Sequence, residues 1–196
     1  MNYLQTVFEI MESSAHLGAR DLENGARLVG HVPHVAPEAW LHARYKPLSH
    51  AEVASVEDEI GTQLPGTFAS FLMTTNGLSL FSYSLSIDGR RWSYERVGDA
   101  VWQPFSIITP NVPERPRHSK RSFVFVGGYR FDGSLLYIDK SDLKVYRCRN
   151  RSAKPLNGWP SFETMLEEEA RRLSLLFDTE GRRIDPDRPT TPLPPA

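Results

Sequence analysis

Between residues 80 and 149 the sequence alternates short β-prone runs with turn residues and leaves no room for a helix between them. From Leu80 to Ile87 the residues Ser82, Ser84 and Ser86 alternate with Phe81, Tyr83, Leu85 and Ile87. This is the period of a half-buried strand, and it closes at Asp88-Gly89. Further strand-like runs stand at 106–109, 122–126, 135–139 and 144–149, separated by turn residues at 111–116, Gly127-Gly128, Asp132-Gly133 and Ser141-Asp142. Strands that succeed one another directly through turns build an antiparallel meander, which helices can cover on one face. The expected fold class is therefore α+β: an antiparallel meander of four to six strands packed with N-terminal helices and a C-terminal helix.

The helices are read from spacing and caps. Leu4, Val7, Phe8 and Met11 form one stripe and predict an amphipathic helix within residues 2–15. A weaker helical stretch at 19–29 is interrupted by Asn24-Gly25, and 31–37 reads as a linker with two prolines. Ser49 followed by Glu52 is a capping box, after which Val53, Val56 and Ile60 share a face and Gly61 supplies the left-handed stop. Leu64-Pro65 opens a second helix that buries Phe68, Phe71 and Leu72 and ends at Asn76-Gly77. Ser161 caps a last helix carrying Phe162, Met165, Leu166, Leu173 and Leu176 inward. Residues 179–196 hold five prolines and few large apolar side chains, the composition of a disordered tail. The organisation expected is an N-terminal extension and linker over 1–39, a compact domain over 40–177 and a disordered tail over 178–196. A chain of 196 residues suits one core. Its apolar runs are far shorter than a membrane span, and the acidic Glu9 and Glu12 with no basic start argue against a signal peptide, so a cytoplasmic location is expected.

The stretch from Leu48 to Gly77 resembles the SUKH superfamily. The resemblance rests on Glu57, Ile60, Gly61, Leu64 and Pro65 in an E-x-x-I-G-x-x-L-P arrangement, followed by Phe68, Phe71, Leu72 and Asn76-Gly77. Downstream, the run 125–128, the Asp132-Gly133 turn, the strand at 135–139 and Trp159-Pro160-Ser161-Phe162 look like the same family, so the similarity spans roughly residues 40–177. It implies an α+β domain of the kind that binds and neutralises polymorphic toxin domains, many of them nucleases or deaminases. The family also holds regulatory interaction modules, so fold alone does not decide function. It brings no shared catalytic constellation.

Nothing in the residues themselves supplies one. No G-x-S-x-G elbow, phosphate-cradling glycine loop or H-E-x-x-H helix occurs, and Pro33 separates His31 from His34, so neither a cofactor nor a metal is expected. The single cysteine, Cys148, reads as a small apolar filler, although flanking Arg147 and Arg149 would favour its thiolate. Charge is more informative. Residues 49–89 carry five acids and no Lys or Arg, whereas 90–158 carry fourteen basic and six acidic side chains. A protein partner is therefore expected on Glu52, Glu57, Asp58 and Glu59, or on Arg90, Arg91, Trp92 and Tyr94 within the basic, aromatic stretch 90–96. The net charge of −1 argues against nucleic acid, and a cognate protein toxin domain is the partner that the resemblance implies. A regulatory module without a toxin, or an enzyme with a pocket of convergent titratable groups, are the competing classes.

Overall fold

The computed structural model describes residues 3–95 and 97–193; Arg96, part of the basic stretch, lies outside them. The chain builds nine strands into one antiparallel sheet in strict sequence order: Ala19–Asp21 (β1), Arg27–His31 (β2), Trp40–Arg44 (β3), Leu78–Leu80 (β4), Leu85–Ile87 (β5), Phe123–Gly128 (β6), Leu135–Asp139 (β7), Val145–Arg149 (β8) and Ser152–Trp159 (β9). The meander and its α+β class match the sequence pattern, but nine strands replace the four to six expected. Two of the additions, β1 and β2, fall where a weak helix and the start of a linker were read, and β3 follows the linker. There Asn24-Gly25 is a hairpin turn, with Gly25 at φ 82°, and β1 and β2 pair across it.

Four helices, Tyr3–Glu12 (α1), His50–Ile60 (α2), Gly66–Leu72 (α3) and Phe162–Ser174 (α5), supply most of the side chains that meet one face of the sheet. Ser49 and Glu52 form the reciprocal capping box, and Gly61 ends α2 at φ 69°. Phe68 stacks on Phe71, and both rings meet Phe162 of α5 edge-on at 5.2 and 5.1 Å. Against them the sheet sets Leu78, Leu80, Leu85, Ile87, Val124, Val126, Leu136 and Ile138. α1 joins this core through Leu4, Val7 and Met11.

The opposite face carries two smaller clusters. One gathers Leu22, Ala26, Leu28, Ala43 and Tyr45, the other Phe123, Phe125, Tyr137, Cys148 and Ala153. Between them the alternation of β4 and β5 places Ser79, Ser86 and Asp88 away from the main core, so the middle of this face is polar, buried and only partly covered.

Two departures from the sequence pattern shape that middle. The expected strand over 80–87 is broken, because Phe81, Ser82 and Tyr83 all have positive φ (49°, 54° and 66°) and form a left-handed turn between β4 and β5. The run 106–109 contributes one parallel bridge, Ser106 to Gly89, and then turns into a short helix, Ile108–Asn111 (α4), while the Gly127-Gly128 pair read as a turn lies inside β6.

The segment 178–193 makes contacts with β8 and α5. Thr190 and Thr191 are buried, Arg147 donates to Pro192 O at 2.8 Å, and Arg172 donates to Thr190 O at 2.6 Å. Proline lacks an N–H donor but keeps its carbonyl, and Pro192 O and Thr190 O are the acceptors for these arginines.

Candidate functional site

The residues singled out in sequence are sorted by what already holds them. Glu52 accepts from the Ser49 N–H at 2.6 Å, and these bonds keep its carboxyl below the usual range. Glu57 accepts from the Leu64 N–H at 2.8 Å and so pins the loop between α2 and α3. Glu59 pairs with Arg90 at 2.6 Å. Of the four acids, Asp58 alone is left exposed without such a bond among the described residues. The acid-only and basic segments therefore meet and offset each other at one point.

That point is built with care. Asn76 accepts from the Arg90 N–H at 2.6 Å and donates to the Arg90 carbonyl at 2.8 Å, pairing with it as a neighbouring strand would. Gly89 is forced, since a Cβ there would stand 2.3 Å from Asn76 Oδ1. Sequence reading took Asn76 only as a helix stop. The Arg90 guanidinium reaches Ser55 Oγ and Glu59 and lies 4.5 Å from the centroid of the Trp92 ring. Trp92 remains 56% exposed. The Trp92 N–H donates to Gln103 Oε1 at 2.8 Å, and beside the indole a hollow of about 510 Å³ is lined by Glu52, Trp102 and Lys46. A backbone so fixed with a large aromatic ring left in water is the arrangement found at protein contact anchors.

Arg91 and Tyr94 turn to the other side of the same loop. Arg91 donates to the carbonyls of Ser93 and Pro104 and stacks on Tyr94 at 5.1 Å. Both line a groove of about 820 Å³ over the polar middle of the sheet, together with Tyr83, Asp88, Phe105 and Arg130. Asp88 is 6% exposed, and no described residue donates a hydrogen bond to its carboxylate; burial pushes that carboxyl up to about 7. No sequence signal distinguished Asp88 from a turn residue.

Cys148 lies among Phe123, Phe125 and Tyr137, and burial pushes its thiol up to about 12 against the opposing effect of Arg147. Among the described residues no group of three or more His, Cys, Asp or Glu side chains is placed to hold a metal, and no helix is long and apolar enough to cross a membrane.

The model of the SMI1/KNR4 family (SUKH-1) matches residues 47–168. The chain belongs to this family. The matched span runs from α2 to the middle of α5, so the SUKH-1 match contains the Asn76 clamp, Arg90, Trp92 and the groove, while α1, β1, β2 and the terminal strap lie outside it. No curated protein matches the sequence of this SUKH-1 chain.

Proposed function

We propose that this SUKH-1 protein is a non-catalytic immunity protein that binds and neutralises a polymorphic toxin domain, of nuclease or deaminase class, in the cytoplasm of the cell that makes both. Family membership supports a protein partner, and the observation that carries the contact face is the Arg90–Trp92 pair. Its guanidinium is oriented by Glu59 and Ser55 and its backbone by Asn76, so the indole is presented at little further entropic cost. Stable inhibition requires an interface of about 1,600 Å², in which a few aromatic and arginine anchors carry most of the energy. The exposed Asp58 near the end of α2 adds negative charge that speeds encounter with a basic toxin.

Co-expression with the product of the adjacent reading frame, followed by growth assay and co-purification, tests the reading. The wild-type chain restores growth and co-purifies with the toxic domain. Trp92→Ala weakens the complex by about 2 kcal/mol or more, mainly through faster dissociation, with an unchanged unfolding midpoint. Failure to protect against the co-encoded domain would refute the toxin reading, and full affinity in Trp92→Ala would move the contact face elsewhere.

A further inference from the structure

Asp88 is the buried group that the fold leaves without a use. It sits at the end of β5, on the sheet face away from the main core, and its own N–H donates to Val126 O at 2.8 Å while its carboxylate stays unpartnered. The residue is almost wholly buried, yet its carboxylate oxygens keep contact with the solvent of the groove, where Asn would give nearly the same size without the charge. The carboxylate is not sealed away: it lines the groove of about 820 Å³, within the range of about 300–1,000 Å³ typical of small-ligand sites.

The remaining lining divides by chemistry. Aromatic walls come from Tyr83 and Phe105, whose rings stand 5.6 Å apart, and from the exposed Tyr94. Arg130 and Arg151 are exposed, without hydrogen-bond partners among the described residues, and Arg91 lines the same groove from the loop. The charge of Arg130 and Arg91 reaches Tyr83 and opposes the rise that burial imposes on its phenol. Burial raises the Asp88 carboxyl. Glu114 is the other acid of the groove and is exposed. The groove therefore offers an acceptor in its depth, flat apolar walls and cations at its margin. An occupant that satisfies all three has N–H donors at one end, a planar ring and an anionic group at the other.

We propose that this groove binds a guanine nucleotide, whose ring N–H and amino group donate side by side to the two oxygens of Asp88 while its phosphate meets Arg91, Arg130 and Arg151. Guanine is favoured because, of the common bases, it presents two adjacent donors on one edge, and these favour release of the proton that burial holds on Asp88, leaving an acceptor-only carboxylate with two oxygens to receive them. The aromatic walls take the base face, as they do for single nucleotides elsewhere. The guanidiniums suit phosphate oxygens in the same way. This site is separate from the Trp92 anchor and does not depend on a toxin.

Calorimetric titration of the full chain with guanosine monophosphate, adenosine monophosphate, cytidine monophosphate, guanosine and inorganic phosphate tests it. Guanosine monophosphate is expected to bind saturably and about tenfold or more tighter than the other two nucleotides, the scale of one bidentate base contact. Asp88→Asn is expected to abolish that preference, while Arg130→Ala with Arg151→Ala lowers the nucleotide's affinity towards that of guanosine. These arginines are exposed, so the double variant remains informative even where Asp88→Asn fails to fold. Equal binding of the three nucleotides, or no binding of any at millimolar concentration, overturns the proposal. So does loss of toxin capture in Asp88→Asn with no nucleotide bound, which assigns the groove to the protein partner. Loss of toxin capture in Trp92→Ala leaves the nucleotide result unaffected.

Discussion

Two buried titratable side chains act on stability in opposite directions. Asp88 ionises near pH 3.9 in an unfolded chain and at about 7 in the fold, so between these values the fold retains a proton that the unfolded chain has released. Stability from this group falls as pH rises through that window, by about 1.4 kcal/mol per unit. His42, buried against Phe81 with the Glu12 charge too weak to compensate, is lowered to about 3 from a value near 6.5. Its neutral form belongs to the fold, so its contribution falls as pH drops from about 6.5 to 3. Between pH 4 and 6.5, roughly, the two slopes cancel. Asp88→Asn should unmask His42: its stability should rise with pH about 1.4 kcal/mol per unit more steeply than wild type, reaching an excess on the order of 3 kcal/mol at pH 7. The charged and phenolic groups that share the groove with Asp88, namely Tyr83, Arg91, Tyr94, Glu114, Tyr129, Arg130 and Arg151, are unchanged in the variant. Urea unfolding at pH 4.5 and 7 measures the difference, and parallel profiles would show that Asp88 is not held protonated by burial.

At the scale of elements, the turn between β4 and β5 is the place where local preference and fold disagree. Phe81, Ser82 and Tyr83 occupy the left-handed region, which costs an L-residue about 1–2 kcal/mol each, yet the turn delivers Phe81 onto Phe177 at 4.9 Å and Tyr83 onto the groove. Ser82 is the one of the three with little to lose, since its hydroxyl only reaches Trp40 O at 3.5 Å. Ser82→Gly should relieve the strain and, after the added freedom of the unfolded chain, stabilise by about 0.5–1 kcal/mol. A lower thermal midpoint for this variant would mean that the Ser82 side chain holds the turn. The same turn explains what the sequence could and could not disclose. Helices α2, α3 and α5 were legible because caps and apolar spacing are local, and β6, β7 and β8 because apolar runs sat between turn residues. The alternation through 80–87 looked continuous because a left-handed turn of non-glycine residues has no composition signal. The N-terminal hairpin was lost because β1 is short and exposed, so neither period was visible. Glu57, Glu59 and Arg90 were named as partner-binding candidates; that Glu57 also holds the Leu64 N–H and that Glu59 pairs with Arg90, far along the chain, is recorded by no pattern of charges in the sequence.

The whole molecule is closed by its last described segment. Gly181 packs so tightly against β3 and the residue after β2 that a Cβ there would stand 2.8 Å from side-chain carbons of Leu41 and Val32. Beyond it the strap crosses to the other end of the sheet, where its carbonyls receive two arginines. Arg147 on β8 is buried and also meets Ser134, Asn157 and Asp132. Arg172 on α5 is joined to Glu169, which in turn accepts from the Tyr129 hydroxyl at 2.7 Å. The strap thus completes two hydrogen-bonded networks that adjoin at Tyr129, over whose ring the Arg147 guanidinium lies at 5.6 Å; Arg147 falls inside the family-matched span and Arg172 just beyond it. We propose that the folding unit extends from α1 to this strap and is not confined to residues 40–177. A chain ending at Asp178 would strip Pro192 O and Thr190 O from two cations, each such charged hydrogen bond being worth about 1.5–3 kcal/mol. It should lose about 3–6 kcal/mol in urea unfolding, a large part of the 5–15 kcal/mol typical of a domain. Arg147→Met in the full chain separates tether from length: if the strap is anchored by this arginine, amide exchange at 188–193 should accelerate while α2 and α3 stay protected. A chain ending at Asp178 that unfolds at the wild-type midpoint would show instead that the strap is dispensable and that the arginines are satisfied within the domain.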